Sequence, residues 1–275
     1  MIVGMLASAI VGYTLTGLPR IIHLPLTILS GMVAGGLWAA VPGYLKAKFG
    51  VHEVVNSIMM NYIALYFSHY LVNGPIKDPN LASPYSPEIA DAAKLWRFVG
   101  GHGSEFRVNS GIIIAVVAAI LIYRLLYKTT KGYEIRAVGL NPEAARYAGI
   151  DVSAAMARSM LIAGSMAGLA GAIQVCGIQY KFLDLFAFEG FGFDGIAVAL
   201  LAKGNPYGIL AAASLFGVLN RGSQMMQLLA TVPKETAGII QASVVFLVAA
   251  EGIVEGWLPI RRMAKLDVAG KEETR

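Results

Sequence analysis

Charged residues are scarce: Asp, Glu, Lys and Arg make up 14% of the 275 residues, while 56% are hydrophobic. Soluble globular domains carry about 25% charge, so the polar shell such a domain needs is missing and the composition is that of a membrane protein. Cysteine is all but absent. Cys176 stands alone in an apolar run, which excludes an intramolecular disulfide and a thiolate metal site. His23, His52, His69 and His102 are scattered without ligand spacing, and no metal centre is expected. Also missing are G-x-x-x-x-G-K-[ST], H-E-x-x-H and G-x-S-x-G. Without a phosphate loop nothing here cradles ATP, and the other two absences remove the metalloprotease and hydrolase signatures. No catalytic residue and no bound cofactor is expected. A formal charge of +5 could suggest nucleic acid, but Lys and Arg cluster at the ends of apolar runs and in the connections between them, where membrane topology accounts for them.

Long apolar runs are abundant. A bilayer crossing needs roughly 20 apolar residues, and segments near that length fall at approximately residues 1–18, 24–42, 52–72, 110–128, 157–177, 186–202, 206–229 and 236–257. Every backbone amide in hydrocarbon must be paired internally. The expected fold is therefore all-α, a polytopic transmembrane helical bundle of about eight spans, one of them broken or re-entrant. The first residues enter an apolar run at once, with no basic stretch and no convincing cleavage site, so a transmembrane helix is expected there rather than a signal peptide. Pro19 and Pro25 are expected to break helix continuity between the first two segments, and "PGYLKAKFGVHE" divides the second from the third. The prolines of the connection after the third segment predict a surface excursion with little regular structure.

Basic residues set the orientation. Lys46, Lys48, Lys128, Lys131, Arg136, Arg146, Arg158, Arg261, Arg262 and Lys265 fall on one side if the spans alternate, and the positive-inside rule makes that side cytoplasmic. The expected organisation is a transmembrane domain over 1–257, with an external loop at 73–109 and a cytoplasmic loop at 129–157. A cytoplasmic tail at 258–275 follows, its arginines meeting lipid headgroups.

Gly31 with Gly35, and Gly164 with Gly168 and Gly171, are spaced for close helix contact. Uncharged polar residues within apolar spans point either to a solute path or to bonds between helices. Asn220, Gln224 and Gln227 follow i, i+4, i+7 spacing and share one face, a stripe suited to a neutral hydrogen-bonding solute or to interhelical bonding. Asn56 shares a face with Glu53 near the cytoplasmic end of the third segment, and Asn61 lies deeper. Asp194 and Lys203 bracket a short helix that follows a glycine break. That break, "GFGFDG" at 190–195, matches G-x-G-x-x-G letter for letter, yet a dinucleotide fingerprint must follow a strand and open the helix of a βαβ unit. Between membrane-like flanks it reads as a re-entrant turn or a plain loop.

The stretch "GYEIRAVGLNPEAARYAGID" (132–151) carries more charge than the oily runs on either side. Asn141 can cap a helix, Pro142 suits its first position, and Glu143 complements its dipole. Ala144, Ala145, Arg146 and Tyr147 continue it, and Gly149 supplies a left-handed exit. Asp151 or Ser153 then caps the next helix. Propensity alone barely stabilises a helix of about two turns. A connector accounts for such a piece, but two caps on an isolated helix suggest that something docks on it.

"KGYEIRAVGLNPEAARYAGIDV" resembles the cytoplasmic loop of bacterial ABC importer permeases of the ribose and branched-chain amino acid class. "GVHEVVNSIMMNYIALY" (50–66), "YLVNGPIKDP" (70–79) and "FGFDGIAVALLAKGNPYGILAAASLFGVLNRG" (191–222) narrow the resemblance to nucleoside and simple-sugar permeases that work with a basic-membrane-protein type lipoprotein receptor. Members of that group usually carry a further helix and a motif resembling N-I-G-x-E-G-Q-M ahead of the position of Met1. The resemblance implies an integral protein of the bacterial cytoplasmic membrane that binds no ATP or Mg itself. It implies three protein partners: an ATPase that holds both, the receptor, and a second, related but different permease. It casts Asn141, Pro142, Glu143, Ala144, Ala145, Arg146, Tyr147 and Gly149 as the helix that couples to the ATPase. Asn56, Asn61, Asp194, Asn220, Gln224 and Gln227 are the candidates for the solute path. The alternative is a secondary transporter or channel for a small polar solute, which would need an intramembrane charged relay that the spans barely supply.

Overall fold

The computed structural model describes residues 1–79, 83–98, 108–185 and 190–230, with short pieces between 233 and 247. Among these residues the regular elements are helices, and the strand-like pairings are two isolated bridges, Tyr85 with Leu183 and Arg97 with Asn109. The chain divides into two units, Met1–Glu189 and Gly190–Arg275.

The first unit holds α1 (Ile2–Thr14), α2 (Arg20–Phe49), α3 (Glu53–Asn73), α4 (Gly111–Lys128), α5 (Thr130–Leu140), α6 (Pro142–Tyr147) and α7 (Val152–Gln174). A π-helical turn, Val175–Gln179, prolongs α7. Among the described residues, α2, α4 and α7 with its π turn are long and apolar enough to cross a membrane. Pro19 does bound α2, where its carbonyl accepts from the amides of Ile22 and His23 at 3.0 Å. Pro25 does not break the chain: α2 runs on through both Pro25 and Pro42. Each proline forfeits one backbone bond, but nearby groups can satisfy the freed carbonyls of a membrane helix. A thirty-residue helix also keeps most of its ladder intact.

Helices α1, α2 and α7 meet along the small residues. A Cβ on Gly35 would stand 2.6 Å from the Gly164 carbonyl and 2.7 Å from the Gly168 Cα, and one on Gly4 would stand 2.6 Å from that same Cα. Backbones this close pack through dispersion and carbonyl contacts, which matter most where lipid removes the hydrophobic drive between helices. The expected glycine contacts are therefore the axis of the unit. Met5, Leu6 and Ala9 of α1 join Leu65 and Val72 of α3 in a buried core beside that axis.

One end of this core is closed by residues 83–98. The prolines there do prevent regular structure beyond a single turn at Asp91–Ala93. The segment is nonetheless no loose excursion, because Ile89, Ala93 and Leu95 are buried in the same core as Phe182. Its amides are satisfied across the end of α7: Ser86 donates to the Phe182 carbonyl at 3.0 Å, Ile89 to Tyr180 and Leu95 to Cys176, both at 2.9 Å.

The second unit is a helical hairpin of α8 (Phe191–Leu201) and α9 (Pro206–Ala230) closed over Val198, Ala212 and Phe216. Gly190, at φ 78°, turns the chain into α8, and Lys203 and Gly204, at 49° and 71°, turn it out. Gly192 and Gly195 lie inside the helix, so the glycine break is confined to Gly190. At ~1.5 Å per residue, α8 reaches barely half of the ~30 Å hydrocarbon layer, as a re-entrant segment would. The expected span at 236–257 falls largely outside the described residues, as does the tail at 258–275.

Candidate functional site

The loop sequence 129–157 folds as a three-helix corner. Thr129 caps α5, its hydroxyl accepting from the Gly132 amide at 3.0 Å and donating to the Leu125 carbonyl at 2.6 Å. A Cβ on Gly132 would lie 2.6 Å from the Leu126 Cα and closer still to the Leu125 carbonyl, so only glycine permits this bend. Arg136 lies over the Tyr127 ring and donates from Nε to the Leu126 carbonyl at 2.9 Å. It thereby satisfies a carbonyl that the end of α4 leaves open. Glu134 then ties α5 to α7, pairing with Lys131 at 2.9 Å and with Arg158 at 3.0 Å.

Asn141 ends α5 and begins α6. Its Oδ1 accepts from the amides of Glu143 and Ala144 at 3.0 and 3.1 Å. Gly149, at φ 80°, makes the exit, and Asp151 caps α7 through the Ala154 amide at 3.0 Å. Ala145 is the inward anchor, 4% exposed among Val138, Val152 and Ala155. Everything else on α6 points away. Glu143 and Arg146 form an exposed pair at 3.4 Å, a kind that contributes at most about 1 kcal/mol. Tyr147 is 93% exposed, and Leu140, just ahead of the cap, is 89% exposed. Beside the rod a cleft of about 400 Å³ is lined by Lys46, His52, Glu53, Arg146, Ser153 and Met156. The Ser153 hydroxyl donates to the Ala47 carbonyl at 3.2 Å, pinning the root of α7 to the end of α2. This corner presents Tyr147 on the short rod α6 and Leu140 at the end of α5 just before it, and the rod leads on into the long α7.

The cap residues, the anchor and the contact residues of α6 thus occupy one surface. Helix α5 and the exposed Leu140 were not anticipated. Gly132 and Gly139 and the mixed polarity of 130–140 obscure a helical pattern, although Lys131 and Glu134 at i, i+3 were a legible sign of one.

The candidate solute-path residues divide between the units. Asn56 reaches the Pro42 carbonyl at 3.5 Å, beside the 2.8 Å pair of Lys46 with Glu53, and Asn61 is exposed on α3. In the second unit Asp194 lies half-buried in the first turn of α8. Asn220, Gln224 and Gln227 are exposed along α9. There Asn220 accepts from Gln241 and Gln224 from Arg221, each at 3.3 Å. Among the described residues no cluster of His, Cys, Asp and Glu could hold a metal ion.

Two outcomes follow from the corner's geometry. Asn141→Ala should cost about 1 kcal/mol of local stability, as N-cap losses do, measured as faster amide exchange confined to residues 143–148. Hydrogen bonding from Lys131, reinforced by the charges of Lys131 and Arg158, holds the Glu134 carboxyl below its ordinary value of 4.5. The α5–α7 tie is therefore fully formed above that value and is lost as pH falls through the depressed one. Exchange protection of α5 should drop on acidification below about pH 4.5, and Glu134→Gln should abolish the pH dependence.

A model for the branched-chain amino acid transport system / permease component family matches residues 1–249. The guanosine ABC transporter permease protein NupP of Bacillus subtilis is 40% identical over 260 residues, covering 90% of this chain and 71% of its own. The nucleoside ABC transporter permease protein NupB of Lactococcus lactis is 34% identical, covering 98% and 78%. The glucose ABC transporter permease protein TsgB13 of Haloferax volcanii is 34% identical, covering 91% and 67%. No solved structure matches. The polytopic helical architecture and these relatives agree: the chain belongs to the branched-chain amino acid transport system / permease component family and is an integral membrane permease subunit of an ABC importer, not an enzyme.

Proposed function

We propose that this permease carries nucleosides or related simple sugars inward across the bacterial cytoplasmic membrane, with its C-terminus cytoplasmic. Permeases of this family work with an ATPase and a substrate-binding partner. Here the former holds ATP and Mg, the latter is a lipoprotein receptor, and a second, related but different permease completes the path. The observation that carries the solute class is the identity to nucleoside permeases at 40% and 34% over nine-tenths or more of the chain. Coupling is assigned to Asn141–Tyr147 and Gly149. The rod is capped at its start and anchored by Ala145, so a groove closing on Leu140 and Tyr147 would move α7 as a lever.

The test is reconstitution of the permease pair, ATPase and receptor in liposomes. ATP-dependent uptake of guanosine, with glucose as the competing candidate, supports the proposal. Uptake by this chain alone on an ion gradient would instead establish the secondary-transporter alternative. Within the same assay Gln224→Leu should lower uptake several-fold while receptor docking is unchanged, since removing one hydrogen bond costs about 1 kcal/mol. Full uptake would return the α9 stripe to a structural role.

A further inference from the structure

Helix α3 carries a feature that neither the coupling corner nor the α9 stripe uses. Ala64, Leu65, Ser68 and Val72 form its buried face. On the opposite face, at four-residue spacing, stand Tyr62, Tyr66 and Tyr70, with exposures of 45%, 67% and 67%. The first two rings are near-parallel, 22° apart with centroids 6.4 Å from one another. The sequence of 52–72 reads as a span with Asn73 at its boundary; on that reading, at ~1.5 Å per residue, Tyr62 stands ~16 Å in, about halfway through a ~30 Å hydrocarbon layer. Tyrosine favours the membrane–water boundary, where its hydroxyl is wet. On the same reading the ladder starts at that boundary and carries tyrosine rings two further turns inward.

The same face continues upward into polar groups. His69 Nδ1 lies 2.8 Å from Asp184 Oδ1, and Asn73 Nδ2 donates to Asp184 Oδ2 at 3.0 Å. The Asp184 side chain is only 2% exposed, against 47% for His69. Below Tyr62 the face carries Met59 and Val55 and no charge. A polar mouth leading to successive uncharged aromatic platforms fits a planar, neutral solute that stacks and hydrogen-bonds at once. Base–aromatic stacking contributes ~1–3 kcal/mol per base and tolerates differences among bases.

Resting on the nucleoside reading above, we propose that Tyr62, Tyr66 and Tyr70 line the solute path and receive the heteroaromatic base, with His69, Asn73 and Asp184 at its mouth. Lipid and a neighbouring permease are the competing occupants of this face.

Because Cys176 is the sole cysteine and is buried, single cysteines at these positions can be labelled selectively in the complete importer. Tyr62→Cys and Tyr66→Cys are treated with a membrane-impermeant thiosulfonate, with and without guanosine during ATP turnover. Labelling that guanosine slows is the expected result. Reaction only with a lipid-soluble maleimide, or cross-linking to the second permease without guanosine protection, overturns it. Tyr66→Phe should keep most of the uptake and Tyr66→Leu should lose about tenfold, the equivalent of ~1.4 kcal/mol of stacking. Equal uptake by the two variants counts against the ladder. Guanosine uptake by the unmodified importer is measured alongside. Its absence removes the nucleoside reading, whereas normal uptake with unprotected cysteines removes the ladder alone.

Discussion

Gly168→Val should leave little folded permease in the membrane. Position 168 sits where α7 crosses α2, and even a single added Cβ would press into the Gly31 carbonyl and lie 3.2 Å from the Gly35 Cα. Both are backbone atoms of a helix, so no rotamer change relieves the overlap; α2 and α7 would have to separate. Overpacking where side chains can adjust costs typically ~1–3 kcal/mol, and this contact belongs at or above the top of that range. Separation would also forfeit the close carbonyl and dispersion contacts that substitute for the hydrophobic effect between membrane helices. Two other glycines calibrate the effect. At Gly12 an added Cβ meets the Ile89 side chain at 2.7 Å, which can shift at moderate cost. At Gly139 it meets nothing within 4 Å, and alanine there should raise helix stability by ~0.5–1 kcal/mol. Unfolding midpoints of the alanine variants in mild detergent should therefore run Gly139, wild type, Gly12, Gly168 from highest to lowest. A Gly168→Val protein that melts with the wild type would show that α2 and α7 do not meet as described.

The crossing was legible because it rests on local spacing. Gly31, Gly35, Gly164 and Gly168 announce close approach whatever the rest of the chain does, and Asn141-Pro142 announces a helix start from two adjacent residues. Features that depend on distant partners were not legible. Pro25 looked like a terminator because a proline removes one amide bond and says nothing about the intact turns on either side. Residues 83–98 read as an excursion because Pro84 and Pro87 forbid regular structure. Yet Ile89 and Leu95 are held by Tyr180 and Cys176 carbonyls more than eighty residues along the chain, a pairing no local pattern encodes. The tyrosines of α3 were hidden for a related reason. Aromatic residues in an apolar span look like packing until the buried face of the helix is known, and only Ala64, Leu65, Ser68 and Val72 reveal that Tyr66 faces the other way.

Ala145→Pro should uncouple ATP hydrolysis from uptake while leaving the α1–α2–α7 packing intact. The Ala145 amide donates to the Asn141 carbonyl at 3.0 Å. Proline there removes that bond and drives its ring against the same carbonyl, an interior cost of ~3 kcal/mol or more, which a six-residue helix with a single anchor cannot absorb. The rod should melt, and with it the fixed presentation of Leu140 and Tyr147. The damage should stop at the corner, because α5 keeps its own ties through Arg136 and Glu134 and α7 keeps its Asp151 cap. ATPase activity in the reconstituted importer should persist while uptake falls at least tenfold, since coupling free energies of ~1–3 kcal/mol correspond to factors of that order. Tyr147→Ala separates shape from contact: it leaves the cap and the Ala145 anchor untouched and removes only the exposed ring. If the ring seats in the ATPase, this variant should bind the ATPase more weakly and lower uptake in proportion, with the amide exchange of 143–148 unchanged. Arg146→Glu tests the charge, placing two acids at i, i+3 and breaking the pair with Glu143. Wild-type uptake per ATP in all three variants would remove α6 from the transmission path and leave it a connector between α5 and α7.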